Sequence, residues 1–392
     1  MAKFEFKDSN YCAFWQDGEV LGTYVDMTPY LRTNFNFWES QFKIDPSLTP
    51  SDSKGLAAFT MQSLVREPAP MMDMVAPLGR GKALDKPGLS AYTASIPHFR
   101  APSYHENSQE RAYMAKQFEQ FGKDAELIKQ WTFTIQGMLD SANQTLSNMS
   151  AQLLSTGEID YKYGRAIKNH LYNANIPAEN IVKAGHESSS KVWTDKTAPL
   201  LDQMAGIEED YRTRLGLENV PLKWQIPYDM FHKNFLTNNQ VRQFVKDYRI
   251  NNQLATTDGF VITEDIFRQV LALYPQISPI EIIVEKQKDY SGNVNGWKDG
   301  VAVLRPAGMA GLIKHTDHLE EFLSKNFGGD AVTKVFTSLN PLMTLINATL
   351  NNGEYKEWHT DLIMAAVPAL DEVPYHLIVN TKQAGTGKGS LD

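Results

Sequence analysis

The residues of this chain best suited to chemistry are His315-Thr316-Asp317-His318, followed by Glu320 and Glu321. Two histidines at that spacing can share a helix face and hold a metal ion. Thr316, however, reads as the N-cap of a short helix over Thr316–Asn326, which sets His315 outside it. No third ligand follows at a telling distance, and His359-Thr360-Asp361 would have to contribute in space. A capped surface helix accounts for the same residues, so no metal is assigned.

Other candidates fail on spacing. Gly385-Thr386-Gly387-Lys388-Gly389 has the look of a phosphate loop. Lys382 and Gly389 occupy the positions that the motif reserves for Gly and for Ser/Thr. Gly79-Arg80-Gly81 lacks the third glycine and the preceding strand of a dinucleotide site. Ser188, Ser189 and Ser190 lie near His186 and Glu187, but no Gly-x-Ser-x-Gly elbow is present. Cys12 sits in an aromatic segment and reads as a small buried hydrophobe rather than a nucleophile. No cofactor is expected, and the chain does not read as an enzyme.

The elements that would position such residues suit a different task. At 392 residues and 42% hydrophobic, the chain can bury one large core or two smaller ones. Its formal charge of −8 gives no global signature of nucleic-acid binding. The single cysteine rules out an intrachain disulfide and Cys-rich zinc sites. Met1–Asp8 has no apolar h-region, and no apolar run reaches membrane length, so neither a signal peptide nor a membrane span is expected.

Residues 1–64 are aromatic and irregular, with Trp15 and Trp38 among their large side chains. Residues 65–102 carry six prolines, a density that excludes helix interior. Arg80, Lys82 and Lys86 make this segment basic within an acidic chain. Within it, Tyr92, Ala94 and Ile96 share one face of a strand-like run. Ser103-Tyr104-His105-Glu106 matches a capping box for a very long helix. Its apolar series runs Met114, Phe118, Phe121, Ala125, Ile128, Trp131, Ile135, Met138, Ala142, Leu146, Met149, Leu153. Steps of three and four hold one face throughout. From Glu106 to Thr156 the span is roughly 75 Å at ~1.5 Å per residue. Gly122 and Gly137 interrupt it, predicting a bend or break near one of them. Gly157 is the stop.

Beyond it, Ile159–Gly164 reads as hairpin-like, and helices are expected near Thr197–Leu215 and Asn238–Tyr248. An α/β region follows. Phe260-Val261-Ile262 is read as a strand, and Thr263 caps a helix. Further strands are expected at Ile280–Gln287, Val301–Leu304 and Tyr375–Val379. The glycine-rich tail reads as disordered.

Taken in order, these parts resemble the major capsid proteins of tailed bacteriophages, the Hong Kong 97-type fold. Three stretches carry the resemblance. The first is the extended loop Lys82–Phe99. The second is the helix ending Gln152-Leu153-Leu154-Ser155-Thr156-Gly157, similar to the branch related to the lambda capsid protein. The third is the late α/β unit, with Val261–Phe267 and Asp299–Gly308.

The resemblance implies an α+β fold in five parts. These are an N-terminal arm (1–64), an extended β-hairpin loop (65–102) and a peripheral domain with the spine helix (103–165). An axial α/β domain (166–370) and a return strand with a flexible tail (371–392) complete it. It implies hexamers and pentamers forming an icosahedral head around double-stranded DNA, without sequence-specific contact. Scaffolding protein, portal and decoration or head-completion proteins would be partners, and no membrane would be. Assembly would take place in the host bacterial cytoplasm, and the product would be a virion.

Candidate contacts between subunits are Trp15, Trp38, Arg80, Lys82, Lys86, Tyr92 and Phe99. Gly122 and Gly137 are candidate flex points of the spine. An encapsulin-type compartment shell is the alternative within the same class. A soluble metal-dependent hydrolase using His315 and His318 is the alternative outside it.

Overall fold

The computed structural model describes residues 11–16, 19–26, 36–50, 57–65, 88–101, 104–121, 126–163, 167–186, 190–217, 219–251, 262–284, 286–288, 294–316, 334–340, 342–351 and 356–385. Expectations for Arg80, Lys82, Lys86, Ser103, Gly122, Phe260, Val261 and His318 fall outside them, as do those for 317–326 and for the tail beyond Gly385.

The chain begins with β1 (Tyr11–Gln16), β2 (Glu19–Asp26), α1 (Phe37–Gln41), β3 (Phe42–Ile44) and β4 (Ala58–Val65). Next come β5 (Gly88–Ser95), β6 (His98–Arg100), β7 (Tyr104–Asn107), α2 (Ser108–Phe121) and α3 (Glu126–Thr156). Then follow β8 (Glu158–Tyr163), β9 (Ile167–Asn173), β10 (Ile181–Ala184), α4 (Leu200–Leu215) and β11 (Leu222–Pro227). A short α5 (Tyr228–Met230) runs on into one π-helical turn, Phe231–Phe235. The later elements are α6 (Asn239–Asn251), α7 (Glu264–Leu271), β12 (Ile280–Ile283), β13 (Lys286–Lys288), β14 (Val294–Gly296) and β15 (Val301–Pro306). The last are β16 (Gly311–His315), β17 (Lys334–Asn340), β18 (Met343–Asn351), β19 (Lys356–Leu370) and β20 (Leu377–Ala384). The architecture is α+β.

Two compact units emerge. The first takes Met1–Phe59, Ala94–Met149 and Leu312–Ala369. Its sheet has the order β17-β18-β19-β16-β3, with β6 and β7 also paired to β19. The sequence division had placed 312–369 inside an axial segment. The ladder gives the reason for the difference: β19 registers Met364 against Phe99 and His359 against His105. β19 is 15 residues long, and its run Leu362–Val367 is buried throughout. The sequence reading had assigned no strand in this stretch.

The second unit takes Thr60–Thr93, Ser150–Gly311 and Leu370–Asp392. Its mixed sheet has the order β10-β20-β15-β11-β12. One face, with Leu222, Trp224, Ile226, Ala302 and Leu304, packs on α4, α6 and α7. Trp193 anchors that core, with ring centroids 6.0 Å from Trp224 and 5.7 Å from Phe235. The opposite face carries Val301, Val303 and Ile378. β15 is covered on both sides, so it reads as an unbroken apolar run rather than an alternating one.

The helix start is corrected. Tyr104–Asn107 is a strand on β19, and α2 begins at Ser108. The capping box lies four residues later than expected. The Asn107 side chain accepts from the backbone N–H groups of Gln109 (3.0 Å) and Glu110 (2.9 Å), and Glu110 accepts from Asn107 N–H at 3.1 Å. The Ile280–Gln287 strand is likewise corrected to two, β12 and β13, which join different sheets. Thr263 caps α7 as expected, accepting from Ile266 N–H at 3.4 Å. The hairpin-like reading of Ile159–Gly164 is corrected to one strand, β8, which pairs antiparallel with β9.

Candidate assembly surfaces

α3 is a single helix of 31 residues, continuous through Gly137. Ile135, Met138, Ala142, Leu146, Met149 and Leu153 are all buried, which is the apolar face read from the sequence. Several of its hydroxyls turn back on the helix. Thr134, Thr145, Ser155 and Thr156 each donate to the carbonyl four residues earlier. Gly157 ends it at φ +74°, a conformation open to glycine, and its N–H closes on Leu153 O at 2.8 Å. A Cβ at Gly157 would lie 2.5 Å from Ile176 Cδ1, whereas one at Gly137 would meet nothing within 4 Å.

β4 and β5 form a two-stranded ribbon. Thr60 and Thr93 hydroxyls stand 3.0 Å apart, and Ile96 N–H donates to Ala57 O, the falling register of an antiparallel pair. Tyr92, Ala94 and Ile96 are buried while Ala91, Thr93 and Ser95 are exposed, which is the expected alternation.

The predicted contact residues divide. Tyr92 is 5% exposed, and its hydroxyl donates to Leu370 O at 2.9 Å. Trp38 is 4% exposed, and its indole N–H donates to Asn143 Oδ1 at 3.2 Å. Both rings are therefore spent inside their own chain and are corrected from contact anchors to core residues. Phe99 is half-buried on β6. Trp15 pairs with Val20 in the β1–β2 hairpin. Phe121, read as part of the buried face, is 62% exposed.

Of the metal candidates, His318, Glu320 and Glu321 lie outside the described residues, and His315 ends strand β16. It is buried and its Nε2 donates to Asp45 O at 2.8 Å. Asp361 lies beneath Arg100, which donates to it. Among the described residues no group of three His, Cys, Asp or Glu could hold a metal ion. No helix among them is long and apolar enough to cross a membrane.

The buried charges serve the fold. Glu208 is 3% exposed and accepts from Trp224 Nε1 (2.9 Å), Ser278 N–H (2.9 Å), Ser278 Oγ (2.5 Å) and Arg212 (2.9 Å). Arg305 donates to Gln225 Oε1, Pro306 O and Gly308 O. Burial lowers its pKa to about 10, opposed by Glu281. His376 is fully buried and donates from Nε2 to Leu154 O. Desolvation, with Arg305 nearby, pushes its pKa down to about 4 against the pull of that carbonyl.

One open groove of about 890 Å³ lies in the second unit, between Tyr228–Asn234, Ile283–Val284 and the Gly296–Gly300 turn. Nothing in the sequence pointed to it, because its walls come from those three segments together with the distant Gln152, Thr194 and Lys382.

No protein-family model matches the chain, and no curated protein matches it. Solved structures are similar to it at low identity. A prophage protein of E. coli CFT073 assigned as capsid protein is 12% identical, over 89% of this chain and 93% of its own, at a TM-score of 0.48. The capsid of cyanophage P-SCSP1u is 8% identical over 94% and 99%, at 0.43. An encapsulin complex of Synechococcus elongatus PCC 7942 is 9% identical over 90% and 90%, at 0.34.

Proposed function

We propose that this chain is a shell-building structural protein, the major capsid protein of a tailed bacteriophage. It assembles with itself into hexamers and pentamers that enclose double-stranded DNA. The observation that carries the reading is the run of parts from β4 to β9. A two-stranded ribbon, a capped helix, a 31-residue helix closed by Gly157 and a hairpin follow one another in that order. In this reading the ribbon stands for the extended loop, and the long helix for the spine, of the sequence resemblance.

In this reading residues 1–64 are the arm and 65–102 the extended loop, with Arg80, Lys82 and Lys86 facing a neighbouring copy. Gly122 and Gly137 let the spine bend as the shell matures. Scaffolding protein, portal and decoration or head-completion proteins are its partners in the host cytoplasm, and the virion is its destination.

Sedimentation velocity of the purified protein tests this. Species of five or six chains, or far larger shells, are expected. A stable 44.2 kDa monomer with bound metal would contradict it and favour a hydrolase. Shells holding protein cargo and no DNA would move the assignment to an encapsulin-type compartment.

A further inference from the structure

We propose that one row of cations on α6, Arg242, Lys246 and Arg249, is the surface through which this chain touches the phosphate backbone of the double-stranded DNA it encloses. This rests on the shell reading above and names the nucleic-acid contact within it.

A chain of formal charge −8 repels a polyanion as a whole, so its contact with one has to be local. α6 supplies a local surface of the right sign. Positions 242, 246 and 249 follow at steps of four and three, so they fall within an arc of about 60°. The row extends about 10 Å along the axis, the length of about three phosphates of one strand at ~3.4 Å each. Arg242 is exposed, and Lys246 and Arg249 are partly exposed. Among the described residues neither Arg242 nor Lys246 makes a side-chain hydrogen bond or ion pair.

No carboxylate stands in the row. Asp247, the one acid of α6, lies about 100° round the helix from Lys246 and accepts from Gln243 Nε2 at 2.7 Å. Phe244, packed edge-on against Tyr274, marks the opposite side of the helix. Tyr274 donates to Asp202 there, so the first acid of α4 is also turned away from the row. At the start of α6, Asn239 N–H closes on Lys196 O at 2.8 Å. That brings a fourth cation beside the first turn, exposed and without a side-chain partner among the described residues. Its neighbour Asp195 is engaged, accepting from Thr197 N–H at 2.8 Å and lying 3.9 Å from Lys191. The positive pole of the helix dipole adds to the field at this end.

Solvated helix faces ordinarily intersperse both signs, whereas this one carries a single sign. A line of cations fits a line of phosphates. Phosphates carry no sequence information, so the contact is independent of sequence.

Fluorescence anisotropy of a labelled random-sequence duplex, titrated with the purified full-length protein over a series of salt concentrations, tests the contact. Log K should fall linearly with log salt, and the double variant Arg242→Gln, Lys246→Gln should make that slope shallower by about 1.8. Adding Lys196→Gln should remove about 0.9 more. Lys116→Gln, exposed on α2, should leave the slope unchanged. All four positions are exposed or partly exposed, so folding is preserved. A double variant with the wild-type slope, or wild-type protein that forms shells but binds no duplex, would overturn this contact and leave the self-assembly reading standing. A double variant that keeps its duplex binding but no longer assembles would also overturn it, assigning the row to a neighbouring copy. Absence of both assembly and duplex binding in the wild-type chain would overturn both.

Discussion

His376 Nε2 lies 2.7 Å from the carbonyl oxygen of Leu154, in the last turn of α3, and the imidazole is fully buried. The C-terminal turn of the long helix is thus fastened to the segment leading into β20 by a neutral histidine. Its folded pKa of about 4 lies below the ordinary value of about 6.5. Between those two values the unfolded chain binds more protons than the folded one. Stability is therefore full above pH 6.5, falls as pH drops through that window, and levels off below pH 4. The loss reaches about 3 kcal/mol. Urea denaturation across pH 4–7 should show this slope. His376→Gln, which keeps a donor for Leu154 O but does not titrate, should flatten it. An unchanged slope in that variant would assign the acid sensitivity elsewhere.

The two glycines of α3 and its stop should respond with opposite signs. Gly157→Ala forces φ +74° on a side-chain-bearing residue and drives its Cβ against Ile176. A loss of about 1–3 kcal/mol is expected. Gly137→Ala meets nothing within 4 Å and should gain about 0.5–1 kcal/mol. Denaturant midpoints measure both. Combined with Gly122→Ala, the stiffened spine should impair maturation or alter particle shape, and wild-type particles from that variant would count against a bending role.

Much of this framework was legible in the sequence because its signals are local. The 3.6-residue period of Ile135 to Leu153, the stop at Gly157, the Thr263 cap and the alternation at Tyr92–Ile96 each need only neighbouring residues. The failures are all long-range. Tyr104–Asn107 has a capping-box sequence nearby, yet pairing with β19 draws it into a strand. Trp38 looked like a sticky arm residue because its partner, Asn143, is over a hundred positions away. The burial of His315 was equally hidden, because Asp45, whose carbonyl holds it, is 270 positions away. The groove beside Trp297 gathers several distant segments, and no periodicity announces it.

Glu208 should prove the most sensitive single side chain of the second unit. Removing it as Glu208→Ala takes the acceptor from the buried Trp224 Nε1 and Ser278 N–H and from the partly exposed Arg212. The expected cost is about 3–5 kcal/mol. Glu208→Gln, which keeps the shape and part of the bonding, should cost clearly less. Equal losses from the two would mean that packing rather than the charge network matters there.

Trp38 should behave as a core residue. Trp38→Phe removes the bond to Asn143 and should cost about 1 kcal/mol, whereas Trp38→Ala should cost about 3–5 kcal/mol. Both losses should appear in the thermal unfolding of unassembled chains. A variant that unfolds normally but fails to assemble would return Trp38 to the contact surface.

Negative-stain electron microscopy of the expressed chain tests the central claim most directly. The account predicts closed shells, capsomers of five or six copies, or tubes built from them. Fields of discrete single-chain particles, under conditions where the protein is folded and concentrated, would contradict it.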